Sequence, residues 1–222
     1  IRQREMQPIQ SIARQVYDNA VAAQRQAEAE VSASRAALDE TKLGLDYATL
    51  GPIHPRVLCA HLSAYGRDNE RKGWPGYDYL MQAEAGYLHL SGEPGSPPAR
   101  MGLSIVDYMT GITTAMAILS SLFGVLKGGR GHDIDVSLFD VALHQLTYPG
   151  AWYLNAGYRT ERLPRSAHPS TVPVQLQRTS DGWIFIMCMT QKFWVELVRT
   201  LQRPDLLTHA DYATVEARRA HR

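Results

Sequence analysis

The sequence predicts an α/β fold, and three observations carry that prediction. From about residue 44 onward, helix-type and strand-type hydrophobic patterns alternate, as layered α/β proteins require. Seventeen glycines and twelve prolines among 222 residues punctuate the alternation. A composition of 45% hydrophobic and 20% charged residues is that of a globular chain able to bury a core. In full, the pattern reads as an α/β domain over residues 44–157, then a linker and a small α+β unit, cut off at its end, over 158–222; the resemblance given below implies that the first is an incomplete large domain. A long coiled-coil-like helix over residues 1–43 precedes both.

Residues 11–43 contain no Gly or Pro and are rich in Ala, Gln, Glu and Arg, which favours uninterrupted helix. Val16, Ala20, Ala23, Ala27, Val31, Ser34 and Leu38 recur in steps of three and four, as in a coiled-coil seam with small knobs. The composition then changes at Gly44. "RVLCAHLS" (56–63) reads as a strand and "YDYLMQAEAGYLHL" (77–90) as one helix. "VDYMTGITTAMAILSSLFGVLKGG" reads as a long helix closed by glycines. "HDIDVSL" (132–138) alternates like a strand, and "FDVALHQLTYPGAWYLNAG" returns to helix until Pro149 and Gly150 disturb it. After the polar connector "GYRTERLPRSAHPSTVP", two strands joined by a turn at Ser180, Asp181 and Gly182 lead into the amphipathic helix "QKFWVELVRTLQR".

Net charge is +1, so no global field selects nucleic acid or an anionic membrane, and any anionic ligand must be held by local groups. Cys59 and Cys188 each sit inside an apolar run, where a small buried thiol is the ordinary reading; this points to a reducing, cytoplasmic setting. The start "IRQREMQPIQ" has neither an initiator Met nor a signal-peptide core, and is expected to belong to a longer gene product. Tyr108 to Leu126 is long enough to cross a bilayer. Its Thr, Ser and Gly residues dilute the hydropathy, however, and no aromatic belt brackets it, so a buried core helix is expected.

Asp107 is the one carboxylate at the head of that helix. An Asp there is commonly an N-cap. It is also a candidate nucleophile or base, because a carboxylate facing a water-poor pocket is no longer quenched by hydration. "KGGRGHDIDVS" has three glycines around Arg130 but no G-K-[ST], and it follows a helix instead of opening one, so a glycine C-cap and turn is the better reading. The eight histidines show no metal-site spacing, so no metal is expected, and a G-x-S-x-G elbow is absent.

Five blocks in order then carry a resemblance: "LGLDYATLGPIHPRVLCAHLSAYG", "GYDYLMQAEAGYLHLSGEP", "GLSIVDYMTGITTAMAILSSL", "GGRGHDIDVSLFDVAL" and "HPSTVPVQLQRTSDGWIFI". Over residues 44–222 the chain resembles the family III coenzyme A transferases, the group of formyl-CoA and carnitine-CoA transferases and their racemase relatives. The resemblance implies that Asp107 is the catalytic aspartate, attacking an acyl-CoA to give a mixed anhydride and then an aspartyl-CoA thioester. It implies Tyr77 as a substrate-binding residue, where racemases use His, so that transfer is favoured over racemisation. It places Leu138 beside the CoA moiety. Coenzyme A would be a co-substrate, with no bound cofactor; the partners would be an acyl-CoA and a small carboxylic acid, in an interlocked homodimer without nucleic acid or membrane. "SAHPSTVP" stands where some members carry a glycine-rich loop, and here glycine is missing. Family members are about twice this length, so activity of this stretch alone is not implied.

Residues 1–43 resemble a different family, the α-hairpin of the periplasmic adaptor (membrane-fusion) proteins of efflux pumps, through "RQVYDNAVAAQRQAEAEVSASRAALDETKLGLDYA". "LGLDYATL" is compatible with both families. A non-enzymatic coiled-coil adaptor is therefore the alternative to the enzyme reading, with an acyl-CoA racemase as a third.

Overall fold

A computed structural model describes residues 43–222. The long helix expected over residues 1–43 lies outside the described residues except for Leu43, which sits in a turn. In chain order the described elements are α1 (Tyr47–Leu50), β1 (Leu58–Ser63), α2 (Asp78–Glu84), α3 (Tyr87–Leu90), α4 (Ile105–Leu126) and β2 (His132–Ser137). They continue with α5 (Leu138–Gln145), α6 (Thr147–Ala156), β3 (Val174–Arg178), β4 (Trp183–Met187), α7 (Gln191–Thr200) and α8 (Val215–Ala220). The mixed helix-and-strand fold predicted from the sequence is the one observed. The described chain divides into two compact units, one of residues 43–81 with Ser104–Leu143, the other of Gln82–Leu103 with His144–Arg222.

The first unit is built on two parallel strands. β1 pairs with β2 in register, from Leu58 opposite His132 to Ser63 opposite Ser137. Parallel strands need a long crossover, and α4 supplies its last leg, running back along the sheet. Ile134, Val136 and Val141 form the buried cluster, against which Leu58, Met109, Ala117 and Ile118 pack. The glycines before β2 act as a helix stop and turn: Gly128 has φ +95°, and the Gly131 amide donates to the Pro55 carbonyl at 2.8 Å. Asp133 joins the pieces. Its carboxylate accepts from the Tyr47 amide at 3.0 Å and meets His61 Nε2 at 2.9 Å, while Arg67 pairs with the neighbouring Asp135.

The second unit centres on the β3–β4 hairpin, antiparallel from Val174 opposite Met187 to Arg178 opposite Trp183. Its turn closes with the Thr179 amide donating to the Gly182 carbonyl at 2.9 Å, at the position the sequence predicts. Trp194 and Val198 of α7 are buried, as are Val174 and Cys188. Arg218 of α8 is only 2% exposed. Its guanidinium donates to the Val172 carbonyl at 2.9 Å, the Tyr212 carbonyl at 2.7 Å and Gln191 Oε1 at 3.0 Å, and lies 4.6 Å from the Trp194 ring centroid. A buried cation is tolerated there because each contact returns part of its lost hydration.

Three expectations need correction. The single helix read over residues 77–90 is two, α2 and α3, because Gly86 adopts φ +91° between them and no continuous helix passes through that conformation. Pro149 and Gly150 do not disturb a helix; they lie inside α6, and the break comes earlier, at Thr147 with φ 51°. Pro149 is third in α6, where a backbone N–H has no intrahelical acceptor to lose. The third correction concerns α4, which is not a buried core helix. Its buried residues are Val106, Thr110, Thr114 and Val125, while Tyr108, Ile112, Met116, Leu119, Phe123 and Leu126 are exposed. The helix packs along one stripe only, and the threonines on that stripe satisfy their hydroxyls on carbonyls one turn back, Thr110 on Val106 at 2.7 Å and Thr114 on Thr110 at 2.8 Å. By length and hydropathy α4 is also the one described helix able to cross a membrane.

Candidate active site

Asp107 is the third residue of α4 and carries the only acid in its first turn. The sequence allowed it to be the helix cap. The structure gives that work to Asp78 instead: Ser104 occupies the N-cap position without a side-chain bond, and Asp78 Oδ2 accepts from the amides of Val106 at 2.6 Å and Asp107 at 3.0 Å. Asp78 is 4% exposed and begins α2, so one carboxylate ties the start of α4 to the start of α2. Two of the four amides that a helix N-terminus leaves without partners are thereby satisfied. The Asp107 carboxylate itself accepts no hydrogen bond from any described residue, which leaves its lone pairs free to react.

A cavity of about 360 Å³ opens beside it, lined by Leu62, Ser63, Ala64, Gly76, Asp107, Thr110 and Leu138. It lies past the carboxyl ends of β1 and β2, the usual place for a ligand in a parallel α/β arrangement. Three local devices shape it. The Phe139 amide donates to the Ala64 carbonyl at 3.0 Å, which binds the start of α5 to the end of β1. Ser137 donates to the Asp140 carboxylate at 2.7 Å and accepts from the Asp140 amide at 3.1 Å, fixing the strand-to-helix corner where Leu138 enters the lining. Gly76 is close-packed, since a Cβ there would stand 2.6 Å from the Ala64 Cβ and 2.8 Å from Leu138 Cδ1.

Burial of the first turn, and then the negative charge of Asp78, push the Asp107 carboxyl above its ordinary range. The residue is nonetheless exposed at the cavity mouth. The water-poor pocket expected around it is therefore not closed: the other lining residues are uncharged, but Asp107 itself is open to solvent. The two thiols do not compete as nucleophiles. Both are buried and unpaired, and burial raises Cys59 and Cys188 away from the thiolate form.

Of the three residues the sequence singles out, the structure brings Asp107 and Leu138 to one cavity. Tyr77 adjoins Gly76 in the chain but its side chain is not part of the lining, and it is 49% exposed. Asp78, Gly76 and Thr110 escaped the sequence reading. The one signal for Asp78 was an isolated acid directly after "PGY", at the start of a helical pattern.

In the second unit, two consecutive non-glycine residues at the entry to "SAHPSTVP" hold positive φ, Arg165 at 59° and Ser166 at 53°. The segment is held by bonds to its backbone. The Glu93 carboxylate accepts from the Arg165 amide at 2.9 Å, and Arg222 donates to the carbonyls of His168 at 2.7 Å and Pro169 at 2.8 Å.

Comparison with known proteins gives two family matches. Residues 25–222 match CoA-transferase family III, and residues 1–48 match the alpha-helical hairpin domain of RND MFP proteins, so 25–48 fall within both. An acyl-CoA transferase of Fusarium pseudograminearum is 36% identical over 181 residues, covering 82% of this chain and 40% of that protein. A succinate–glutarate CoA-transferase of Agrobacterium fabrum is 30% identical, over 82% of this chain and 45% of its own length. The crystal structure of a CAIB/BAIF family protein from Brucella suis superposes with a TM-score of 0.65 at 31% identity, covering 82% of this chain and 48% of that one. The chain thus spans less than half the length of the relatives it matches.

Proposed function

The chain belongs to CoA-transferase family III, and from that premise we propose that it supplies the aspartate-bearing part of an enzyme that moves coenzyme A from an acyl-CoA thioester to a carboxylic acid. The observation that carries this reading is Asp107: a carboxylate free of hydrogen-bonding side chains, raised above its ordinary range, at the mouth of an otherwise uncharged cavity. Its carboxylate attacks the thioester carbonyl; a C–O bond forms, the C–S bond breaks, and CoA leaves as the thiolate. The thiolate then attacks the Asp107 carbonyl of the mixed anhydride, which releases the donor acid and forms an aspartyl-CoA thioester. The acceptor carboxylate reverses the sequence and departs as its CoA thioester, restoring Asp107. An anhydride survives only where water is scarce, so the open side of the cavity must be covered in the working enzyme. Cover of that kind fits relatives of more than twice the matched length and an interlocked homodimer.

Leu138 lines the cavity beside Asp107 and would contact the acyl-CoA; Tyr77, next in the chain to the lining residue Gly76, would be a substrate-binding side chain. The phenol of Tyr77 is too weak a base near neutrality to take an α-proton, which favours transfer over racemisation. The relatives named for succinate and glutarate support small carboxylic acids as the acceptor class. Incubation with succinyl-CoA should produce an adduct on Asp107 that intact mass spectrometry detects and hydroxylamine removes. Asp107→Asn should abolish it and lower turnover at least a thousandfold while the far-UV spectrum stays unchanged. Near-normal labelling of Asp107→Asn would end the assignment.

The match over residues 1–48 favours a second reading, a helical hairpin that assembles with other helices through its small-residue seam. Self-association in sedimentation that is lost when residues 1–42 are removed, with no adduct from acyl-CoA, would support it over transfer.

A further inference from the structure

Asp78 is not needed as a reactant, yet it is buried and aimed at the backbone of the residue that reacts. We propose that Asp78 is a positioning residue for Asp107, holding its amide while its negative charge favours the acylated, neutral form of Asp107 over the free carboxylate. This rests on Asp107 being the nucleophile.

A helix N-terminus ordinarily stabilises an anion in its first turn, by partial positive charge and by free amides. Left to itself, the start of α4 would solvate the Asp107 carboxylate and make it a poor nucleophile. Asp78 prevents this in two ways. Its Oδ2 occupies the amides of Val106 and Asp107, at 2.6 and 3.0 Å, so they are not available to the Asp107 carboxylate. It also sets a second carboxylate, which acts electrostatically against the Asp107 carboxylate, at the positive end of the helix. Among the described residues, Asp78 is the charged group whose field reaches Asp107, the other lining residues of the cavity being uncharged.

The consequence follows from charge. When Asp107 attacks the thioester, the C–S electron pair leaves with the CoA thiolate and Asp107 becomes part of a neutral acyl anhydride. Repulsion between the two carboxylates is present before that step and absent after it, so the pair drives acylation forward. A neutral hydrogen-bond acceptor at position 78 would keep the helix capped but remove the drive. The same two amide bonds fix where the first turn starts, and with it the direction in which the Asp107 side chain leaves the helix.

Asp78→Asn separates the two roles, because its amide oxygen still accepts from both N–H groups; Asp78→Ala removes both. The readouts are the titration of the Asp107 side-chain carbon by ¹³C NMR, assigned with Asp107→Asn, and the pH profile of labelling by succinyl-CoA. For Asp78→Asn we expect thermal stability close to that of the parent, an Asp107 titration midpoint moved to lower pH, and labelling slowed roughly two- to fivefold above that midpoint. Asp78→Ala should move the midpoint at least as far, because the freed amides can then solvate the Asp107 carboxylate, and should have a clearly lower melting temperature. An unchanged midpoint in a folded Asp78→Asn protein overturns the proposal. If Asp78→Asn does not fold, Asp78→Glu replaces it, and a longer acid that keeps the charge but leaves the parent profile unaltered in midpoint and rate overturns the positioning role. Absence of any adduct in the parent protein sinks Asp107 as nucleophile instead, and the NMR midpoint still decides whether Asp78 acts on it.

Discussion

At the scale of single residues, the site depends on a glycine as much as on an acid. Gly76 brings the loop before α2 so close to the end of β1 and the start of α5 that a methyl group there would overlap both Ala64 and Leu138. Gly76→Ala should therefore destabilise the protein by about 1–3 kcal/mol in chemical denaturation, the usual penalty of overpacking. It should also slow labelling of Asp107, because Leu138 is displaced into the cavity. A neutral result in both assays would show that the loop yields without strain. The sequence made Asp107 visible because an isolated charge ahead of an apolar run stands out from its neighbours. Asp78 stayed hidden for the opposite reason: its importance lies in two backbone amides 28 and 29 residues away, and no local pattern records such a bond.

At the scale of elements, periodicity located strands and long helices well and their interruptions poorly. β1, β2, β3, β4 and α7 all lie within the stretches expected for them, and α4 begins one residue ahead of its own, because alternation and amphipathic spacing are properties of contiguous residues. Gly86 and Thr147 break helices through their own backbone angles, which side-chain patterns do not encode, whereas Pro149, the conventional breaker, is harmless at the third helical position. The β1–β2 pair offers a test with a pH signature. Burial pushes the Asp133 carboxyl up, but hydrogen bonds from His61 and the Tyr47 amide, together with the charges of His61 and Arg67, outweigh it and hold Asp133 below its ordinary range. A lowered folded value means that the stabilisation is present above the unfolded value near 3.8 and disappears as pH falls through the folded one. Asp133→Asn should cost about 1–2 kcal/mol at pH 7, and the difference from the parent should shrink in acid. A deficit that is equally large at pH 3 would show that the carboxylate's charge is not what holds the strands to α1.

At the scale of the whole molecule, the described chain carries one long surface that its sequence led us to place inside. Tyr108, Ile112, Met116, Leu119, Phe123 and Leu126 recur in steps of three and four along α4, each at least 41% exposed. Sequence periodicity could not reveal this, because α4 is apolar on every side and so gives no sign of which stripe meets the sheet. Replacing Met116, Leu119 and Phe123 together by Lys, Lys and Gln should change folding stability by no more than about 0.5 kcal/mol per site, while reducing binding of a hydrophobic dye and self-association in sedimentation. A large loss of stability would mean that the stripe is covered.

The parallel pairing of β1 with β2 also has a meaning during synthesis. Ser63 ends one strand and Ser137 the other, 74 residues later in the chain. At roughly 5–20 residues per second, a ribosome needs about 4–15 s between finishing the first and finishing the second. All of α4, with its oily stripe, is synthesised within that interval, ahead of the strand that completes its bed. For those seconds the nascent chain's solubility rests on translation speed and on whatever chaperone meets it.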